Sequence, residues 1–188
     1  MLNSVKREEH AVNLIVFEYA SISEGLKICD DVLTQYQLEL VKHDIRCPGR
    51  YSCLLSGSDA NVKQVERYLQ SKPSVHLKSF KAIYNLREDL LKDVSNTLRP
   101  EPQEDMLIIE TNHLVDGYYV LDQLLKRSSI RGFSLLNRLG LFGKGVVMVT
   151  GKTQSIQLAN RVLSEPDMAN LVWHSEVIQS PSFDIIKM

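Results

Sequence analysis

The sequence predicts an α+β fold in which one small domain occurs twice. In the first half, an apolar segment ends at Glu18 and is followed by Gly25. The same pattern returns in the second half at Glu110 and Gly117. Both pairs are 92 positions apart (110 − 18 = 117 − 25 = 92). Such a period exceeds the roughly 20–50 residues of a solenoid repeat, so it indicates two copies of a whole domain.

A pair of glycine turns extends the repeat. Gly49-Arg50 in the first half matches Gly143-Lys144 in the second at a spacing of 94 positions (143 − 49 = 94), so the second copy carries two more residues before its turn. Between the halves lies a polar segment with two prolines, a composition typical of linkers. The predicted boundaries are 1–96 for the first domain, 97–105 for the linker and 106–188 for the second domain.

The first copy predicts the element order β-α-β-β-α-β. Its β-rich apolar run after residue 11 predicts a strand buried on both faces, and apolar positions at helical spacing follow it. The segment Cys47-Pro48-Gly49 ends the second strand, because proline cannot donate to a strand ladder and glycine tolerates turn geometry. The predicted elements are strand 12–19, helix 22–36, strands 38–45 and 51–55, a helix capped by Asp59, strand 75–83 and a short helix 86–94.

The second copy repeats this order. The predicted elements are strand 106–110, helix 115–127, a turn at 140–145, strand 146–150, a helix capped by Thr153 that runs to 163, and strand 173–178. A domain of order β-α-β-β-α-β is ferredoxin-like, with a mostly antiparallel sheet and helices on one face. The fold class is therefore α+β, with two ferredoxin-like domains in tandem.

Composition excludes several classes of function. The chain is 44% hydrophobic and 24% charged with a net charge of −1, so it lacks the basic surface that nucleic-acid binding needs. No apolar run approaches the ~20 residues of a membrane span, and the charged N-terminal segment does not have the pattern of a secretory signal. We therefore expect a cytoplasmic protein that binds neither nucleic acid nor membranes.

The three cysteines have different predicted roles. Their number is odd and there is no export signal, so a disulfide framework is not expected. Cys29 lies on the apolar side of a helix and Cys53 lies in a strand, where a free thiol packs as a small hydrophobic group. No CxxC spacing occurs, so one chain is not expected to hold a zinc site of its own. Cys47, in the first glycine turn, is the candidate functional cysteine.

The order and spacing of these motifs resemble bacterial microcompartment shell domains. In that family an apolar strand that ends in glutamate is followed by a helix, a glycine-containing pore loop and a strand that runs into glycine. The resemblance covers about residues 12 to 181 and rests on the segments Val16-Phe17-Glu18, Cys47-Pro48-Gly49, Leu54–Gly57, Ile109-Glu110, Gly140–Gly143, Met148–Gly151 and Val177–Pro181.

The resemblance implies an assembly and a function. Tandem shell proteins of this family form homotrimers in which six domains make a pseudohexameric tile. Such a tile joins other shell proteins around an enclosed metabolic pathway in the cytoplasm and lets small metabolites through a central pore. It catalyses no reaction, and no residue set in this chain supports a catalytic site. The implied pore-lining residues are Arg46, Cys47, Pro48, Gly49, Gly140, Leu141, Phe142, Gly143 and Lys144.

Cys47 suggests a cofactor. Its turn is similar to that of the iron–sulfur tandem shell proteins of the propanediol-utilisation type, in which three chains hold one cluster. The resemblance implies a 4Fe-4S cluster at Cys47 that transfers electrons across the shell. Clusters need several thiolates, and threefold symmetry would supply them. The alternatives are a cysteine that only forms a tight turn and a gated metabolite pore without metal.

Charged residues near these motifs leave further alternatives. Arg46, Arg50 and Lys144 flank the turns, either as solvated loop charges or as groups that favour anions in a pore. The family often places a lysine late in the first helix, at the edge between neighbouring tiles. Lys126 occupies that position in the second half, and Thr34 occupies it in the first. Outside the family, a soluble ligand-binding regulatory module and a thiol enzyme using Cys47 are the competing hypotheses.

Overall fold

The computed structural model describes residues 12–86, 103–136 and 143–182. The short helix predicted at 86–94 lies outside these residues except for Leu86, which ends a strand. Most of the predicted linker and the predicted pore residues Gly140, Leu141 and Phe142 also lie outside them.

The first half has the predicted order and forms an antiparallel sheet. From one edge to the other, its strands are the second, third, first and fourth in chain order, and all neighbours run antiparallel. Two helices follow the first and third strands. The elements are β1 (Val12–Tyr19), α1 (Ile22–Gln35), β2 (Leu38–Arg46), β3 (Arg50–Gly57), α2 (Asp59–Ser71) and β4 (Leu77–Leu86).

The second half repeats this topology. Its four strands again lie in the order second, third, first and fourth, with antiparallel neighbours. It adds one short helix before the last strand, which the sequence patterns did not predict. The elements are β5 (Asp105–Thr111), α3 (Leu114–Arg127), β6 (Gly132–Leu136), β7 (Gly145–Gly151), α4 (Thr153–Leu163), α5 (Pro166–Ala169) and β8 (Val172–Ile178).

Most observed element ends lie within a few residues of the predictions, and three differences change the role of a particular residue. Asp105, predicted as the last linker residue, begins β5, and its carboxylate accepts a hydrogen bond from the Ser180 amide at 3.2 Å. The N-cap of α2 is Ser58 rather than Asp59, because the Ser58 hydroxyl accepts from the Asn61 amide. At α4 the cap position falls on Lys152, whose side chain makes no capping bond. The repeated helix starts therefore share their position but not their capping chemistry.

The repeated helix glycine is explained by close packing of helix on sheet. A methyl group at Gly25 would lie 2.6 Å from a ring carbon of Tyr51 on β3. At Gly117 a methyl group would lie 2.9 Å from Leu135 on β6. A side chain at Gly25 would collide with Tyr51, and one at Gly117 would require the end of the Leu135 side chain to move, so glycine at both positions lets the helix lie close to its sheet.

The central strand β1 of the first sheet is buried on both faces, because the second half packs against one of them. Ile15 and Phe17 pack with α1 and α2 in the core of the first half. Leu14 and Val16 point to the opposite face, because side chains alternate along a strand. That face shares a core with the second half, and α3 packs against β1 and β4. We call the contact of α3 with β1 and β4 the internal junction.

Cys29 and Cys53 confirm the prediction that they pack in the core. Both are buried free thiols, and their Sγ atoms lie 3.3 Å apart. A hydrogen bond with Cys53 lowers the pKa of Cys29, whereas the same bond and burial raise the pKa of Cys53. The two thiols are therefore joined by a hydrogen bond within the core of the first half.

Within the described ranges, the structure contains no helix that is long and apolar enough to cross a membrane.

Candidate functional site

The first glycine turn joins β2 to β3. The Cys47–Pro48 peptide is cis, and Gly49 has φ +82°, a conformation that favours glycine. The Gly49 amide donates to the carbonyl of Arg46 at 2.6 Å, which closes the turn. Cys47 is exposed at its tip. The hairpin therefore presents one accessible thiol at the end of the first sheet.

Arg46 anchors the base of this turn. Its guanidinium donates to the Asp44 carboxylate at 3.2 Å, and the side chain is mostly buried. Burial lowers the pKa of Arg46, and the nearby Asp44, Tyr118 and Glu18 act in the opposite direction. Because Tyr118 belongs to α3, this arginine lies beside the internal junction and is not a solvated loop charge.

Arg50 connects the first turn to the second half. Its Nη1 donates to Oε1 of Glu18 at 2.5 Å, and it lies 3.3 Å from Nδ1 of His113 at the start of α3. The guanidinium also fills the space where a side chain at Gly143 would project. Because Glu18 is almost completely buried, this ion pair is sheltered from water. Arg50, which follows the first glycine turn, therefore packs against Gly143 of the second glycine turn.

The second turn is described from Gly143 onward. Gly143 has φ +84°, is buried, and accepts a hydrogen bond on its carbonyl from the Leu114 amide at 2.9 Å. Lys144 lies 3.2 Å from the Glu110 carboxylate, and its Nζ sits 3.1 Å from the centre of the Trp173 ring. This repeats the first-half pairing of glutamate with a basic residue after the turn, but here both partners are one-third exposed.

The structure brings together part of the predicted pore set. Cys47 and Gly49 lie in a turn whose flanking residue, Arg50, contacts Gly143. In the described part of the chain, no group of three or more His, Cys, Asp or Glu residues is placed to hold a metal ion. One chain thus supplies a single exposed thiol, and any metal centre at Cys47 requires ligands from elsewhere.

Lys126, predicted at a tile edge, makes contacts within the chain. Its Nζ donates to the backbone oxygen of Tyr84 on β4 at 2.6 Å and to the Asp122 carboxylate at 2.7 Å. Asp122 is buried, and desolvation raises its pKa although Lys126 acts to lower it. Lys126 therefore helps to join α3 to the first sheet, and its role at an edge between tiles stays a prediction.

Sequence reasoning missed the pairing of Arg50 with Glu18. The signal was present in the repeat, because a glutamate at the end of the first strand and a basic residue after the turn occur in both halves. The burial of one pair and the exposure of the other depend on the internal junction. A sequence repeat alone does not contain that information.

Comparisons with known proteins agree with the sequence resemblance. No family model matches the chain. The bacterial microcompartment shell protein PduT of Citrobacter freundii is 23% identical over 150 residues, which cover 80% of this chain and 82% of that protein. The crystal structure of a microcompartment protein from Desulfitobacterium hafniense matches with a TM-score of 0.72 at 21% identity, covering 94% of this chain and 99% of that one. The chain is thus a relative of bacterial microcompartment shell proteins and has the fold of a microcompartment protein.

Proposed function

We propose that this chain is a shell protein of a bacterial microcompartment. Its similarity to a shell protein extends over most of the length of both chains, and its fold matches that of a microcompartment protein. The observation that supports a pore is the contact of Arg50 with Gly143, because it holds the two glycine turns side by side. Three copies would place six such turns around one axis, as a pseudohexameric homotrimer.

The proposed tile acts through its central opening and through its neighbours. The turns would line the opening, and other shell proteins would meet its outer edge in the cytoplasmic shell. Near the opening, Arg46 is paired with Asp44 and Arg50 with Glu18. These carboxylates reduce the positive charge that the arginines bring to the turn, so the pore would favour anions less than its basic residues alone suggest.

We further propose that Cys47 of three copies holds a 4Fe-4S cluster. The exposed thiol at the tip of the turn fits this role, because thiolates are the ligands that such clusters require. The residues of one chain do not suffice, since each contributes one cysteine at this position. When bound, the cluster would supply one-electron transfer between the two sides of the shell. Pro48, Gly49 and the Asp44–Arg46 pair would hold the thiol at the tip.

Anaerobic purification tests the cluster. We expect bound iron, acid-labile sulfide and visible absorbance in the protein as purified, and their loss in Cys47→Ser. Cys53→Ser is the matched control, because this cysteine is buried in the core of the first half. Iron that is retained in Cys47→Ser, or that is absent from the original protein, contradicts the cluster.

Electron microscopy of the overexpressed protein separates the remaining hypotheses. Flat sheets or tubes are the expected result for a shell tile. Tiles that form without iron identify a gated metabolite pore. A discrete oligomer that binds a ligand and never forms tiles would identify a soluble regulatory module instead.

A further inference from the structure

The two ends of the chain carry surfaces that match the two sides of the internal junction. By the repeat, α1 corresponds to α3 and β8 corresponds to β4. Inside the chain, α3 and β4 cover each other. By contrast, Leu26 and Lys27 of α1 are exposed, as are His174 and Glu176 of β8. α1 therefore presents the counterpart of the α3 side of the internal junction, and β8 presents the counterpart of the β4 side.

The 92-residue repeat identifies equivalent positions on the two helices. Glu24 of α1 corresponds to Asp116 of α3, and Lys27 corresponds to Tyr119. Glu24 and Lys27 lie three residues apart and therefore share one helix face. We call this the α1 face.

The strand registers identify equivalent positions on β4 and β8. Ser79 lies opposite Glu18 in the first sheet, and His174 lies opposite the equivalent residue, Glu110, in the second. Two residues further along, on the same side of each strand, β4 carries a lysine and β8 carries a glutamate. We call the side of β8 that holds His174 and Glu176 the β8 face.

At the internal junction these positions touch. The Ser79 hydroxyl donates to Oδ1 of Asp116 at 3.0 Å. Nζ of Lys81 lies 5.3 Å from the centre of the Tyr119 ring. The junction therefore uses two side-chain contacts along the length of α3, one hydrogen bond to a carboxylate and one cation on an aromatic ring.

We propose that the β8 face of a second copy covers the α1 face, with His174 opposite Glu24 and Glu176 opposite Lys27. This inference rests on the proposed homotrimer and names the residues that set the pairing. A basic group meets a carboxylate at each of the two positions, although neither pair repeats the residues of the internal junction. Such complementary charge fixes the register of an interface and excludes wrong partners.

The first glycine turn supplies a second, independent observation. At Gly143 the guanidinium of Arg50 occupies the space above the glycine. At the equivalent Gly49, apart from its two neighbours in the chain, no described residue has an atom within 4 Å of where a side chain would begin. The repeat places Lys144 of a second copy in that space, because Lys144 corresponds to Arg50. Both the α1 face and the first turn thus fit the same occupant.

The proposed pairs between copies would replace contacts that Lys27 and His174 make within their own chain. Lys27 now lies 3.3 Å from Asp31 on the same helix, and His174 lies 3.2 Å from Glu176 on the same strand. The side chains of Lys27, His174 and Glu176 are 73%, 57% and 68% exposed. Pairs exposed to this degree contribute little, so they are readily replaced by pairs across an interface that excludes water.

Charge reversal tests the assignment in the full chain. We expect Lys27→Glu and Glu176→Lys each to raise the concentration needed for assembly by about tenfold or more, since each creates a like-charged contact. The double variant Lys27→Glu/Glu176→Lys should restore assembly, because the pair is reversed as a whole. Sedimentation velocity over a dilution series measures all three. Lys63→Glu is the matched control, since Lys63 also pairs with an aspartate one helical turn away.

A mixture of the two single variants tests the ring itself. Unlike neighbours in the mixture have complementary charges, whereas like neighbours repel. A ring of three always contains at least one pair of like neighbours, so the mixture should assemble less well than the double variant. If the ring had an even number of subunits, the mixture and the double variant would restore assembly equally.

A substitution at an exposed apolar residue of α1 tests whether a second copy covers this helix. Leu26 of α1 and Leu158 of α4 are both 41% exposed. We expect Leu26→Asp to weaken assembly at least as much as charge reversal, and Leu158→Asp to leave assembly unchanged.

The outcomes separate this inference from the proposed function. If Lys27→Glu, Glu176→Lys and Leu26→Asp leave assembly of the trimer unchanged, the proposed pairing is wrong and the proposed shell tile is unaffected. A chain that stays monomeric at every concentration overturns both. Loss of assembly in each single variant with recovery in the double variant supports the pairing.

Discussion

α1 and α3 occupy equivalent positions in two copies of one domain, yet their environments differ. Nine residues of α3 are buried, against four of α1. The additional burial includes two carboxylates, Asp116 and Asp122, whose counterparts on α1 are Glu24 and the exposed Asp30. The difference arises because the first sheet covers α3 within the chain. Among the described residues, the duplication therefore gives α3 a covering sheet and leaves α1 more exposed.

The same contrast separates the two ion pairs beside the turns. The Glu18 side chain is 2% exposed and that of Arg50 22%, whereas Glu110 and Lys144 are both 34% exposed. Removing one partner of an ion pair strongly destabilises the protein when the remaining charge stays buried. The loss of stability is small when water can solvate the remaining charge. Three comparisons test how far the internal junction accounts for such differences.

The largest effect is expected for Arg50→Ala. Loss of the guanidinium leaves the Glu18 carboxylate buried without its cation and opens space above Gly143, so we expect a loss of about 3–5 kcal/mol in the free energy of unfolding. Lys144→Ala, at the equivalent position, should cost about 0–1 kcal/mol. Chemical denaturation of both variants measures the difference. Equal losses would show that the junction does not shelter the first pair.

A smaller effect is expected for Lys126→Thr, which places the first-half residue in the second half. This change removes the bond to the Tyr84 carbonyl and the cation beside buried Asp122. Because the lysine is one-third exposed, we expect a loss of about 2 kcal/mol in the free energy of unfolding.

The matched control is Thr34→Ala, where the hydroxyl bonds only to the Asp30 carbonyl of its own helix among the described residues. We expect a change within about 0.5 kcal/mol. A loss as large as that of Lys126→Thr would contradict the role assigned to Lys126 at the junction.

The smallest effect is expected for Asp116→Asn and depends on pH. Desolvation raises the pKa of Asp116 in the folded protein, with Ser79 and His113 acting to lower it. A raised folded pKa means that the group favours folding at low pH and that this contribution is lost as the pH rises through the folded pKa. Asparagine does not ionise, so the variant does not lose this contribution to stability as the pH rises. The melting temperature of the variant should therefore gain on that of the original protein between pH 3 and pH 7.

The hydrogen bond from Ser79 provides the check on this prediction. The side-chain oxygen of asparagine still accepts it, so Asp116→Asn should keep the junction intact. A difference in melting temperature that stays constant across the pH range would contradict the assignment to Asp116.

The repeat also explains which parts of the candidate site were predictable. The turn that carries Cys47 and the second glycine turn follow from local sequence, because proline ends a strand ladder and glycine adopts the positive φ of a turn wherever they occur. The hydrogen bond between Cys29 and Cys53 did not, since it depends on a helix and a strand that meet in the core. The caps at Ser58 and Lys152 were missed because neighbouring polar residues compete for one cap position.

The sequence by itself determined the α+β class, the duplication, the identity of the turns and the order of the elements apart from the short helix α5. These features depend on local periodicity and on residues with special backbone conformations, which act over a few positions. Only the tertiary structure decided which helix is covered and which ion pair is sheltered. Ser79 meets Asp116 across 37 positions and Arg50 meets His113 across 63. Contacts over such separations form only when whole sheets and helices pack, and no local pattern records them.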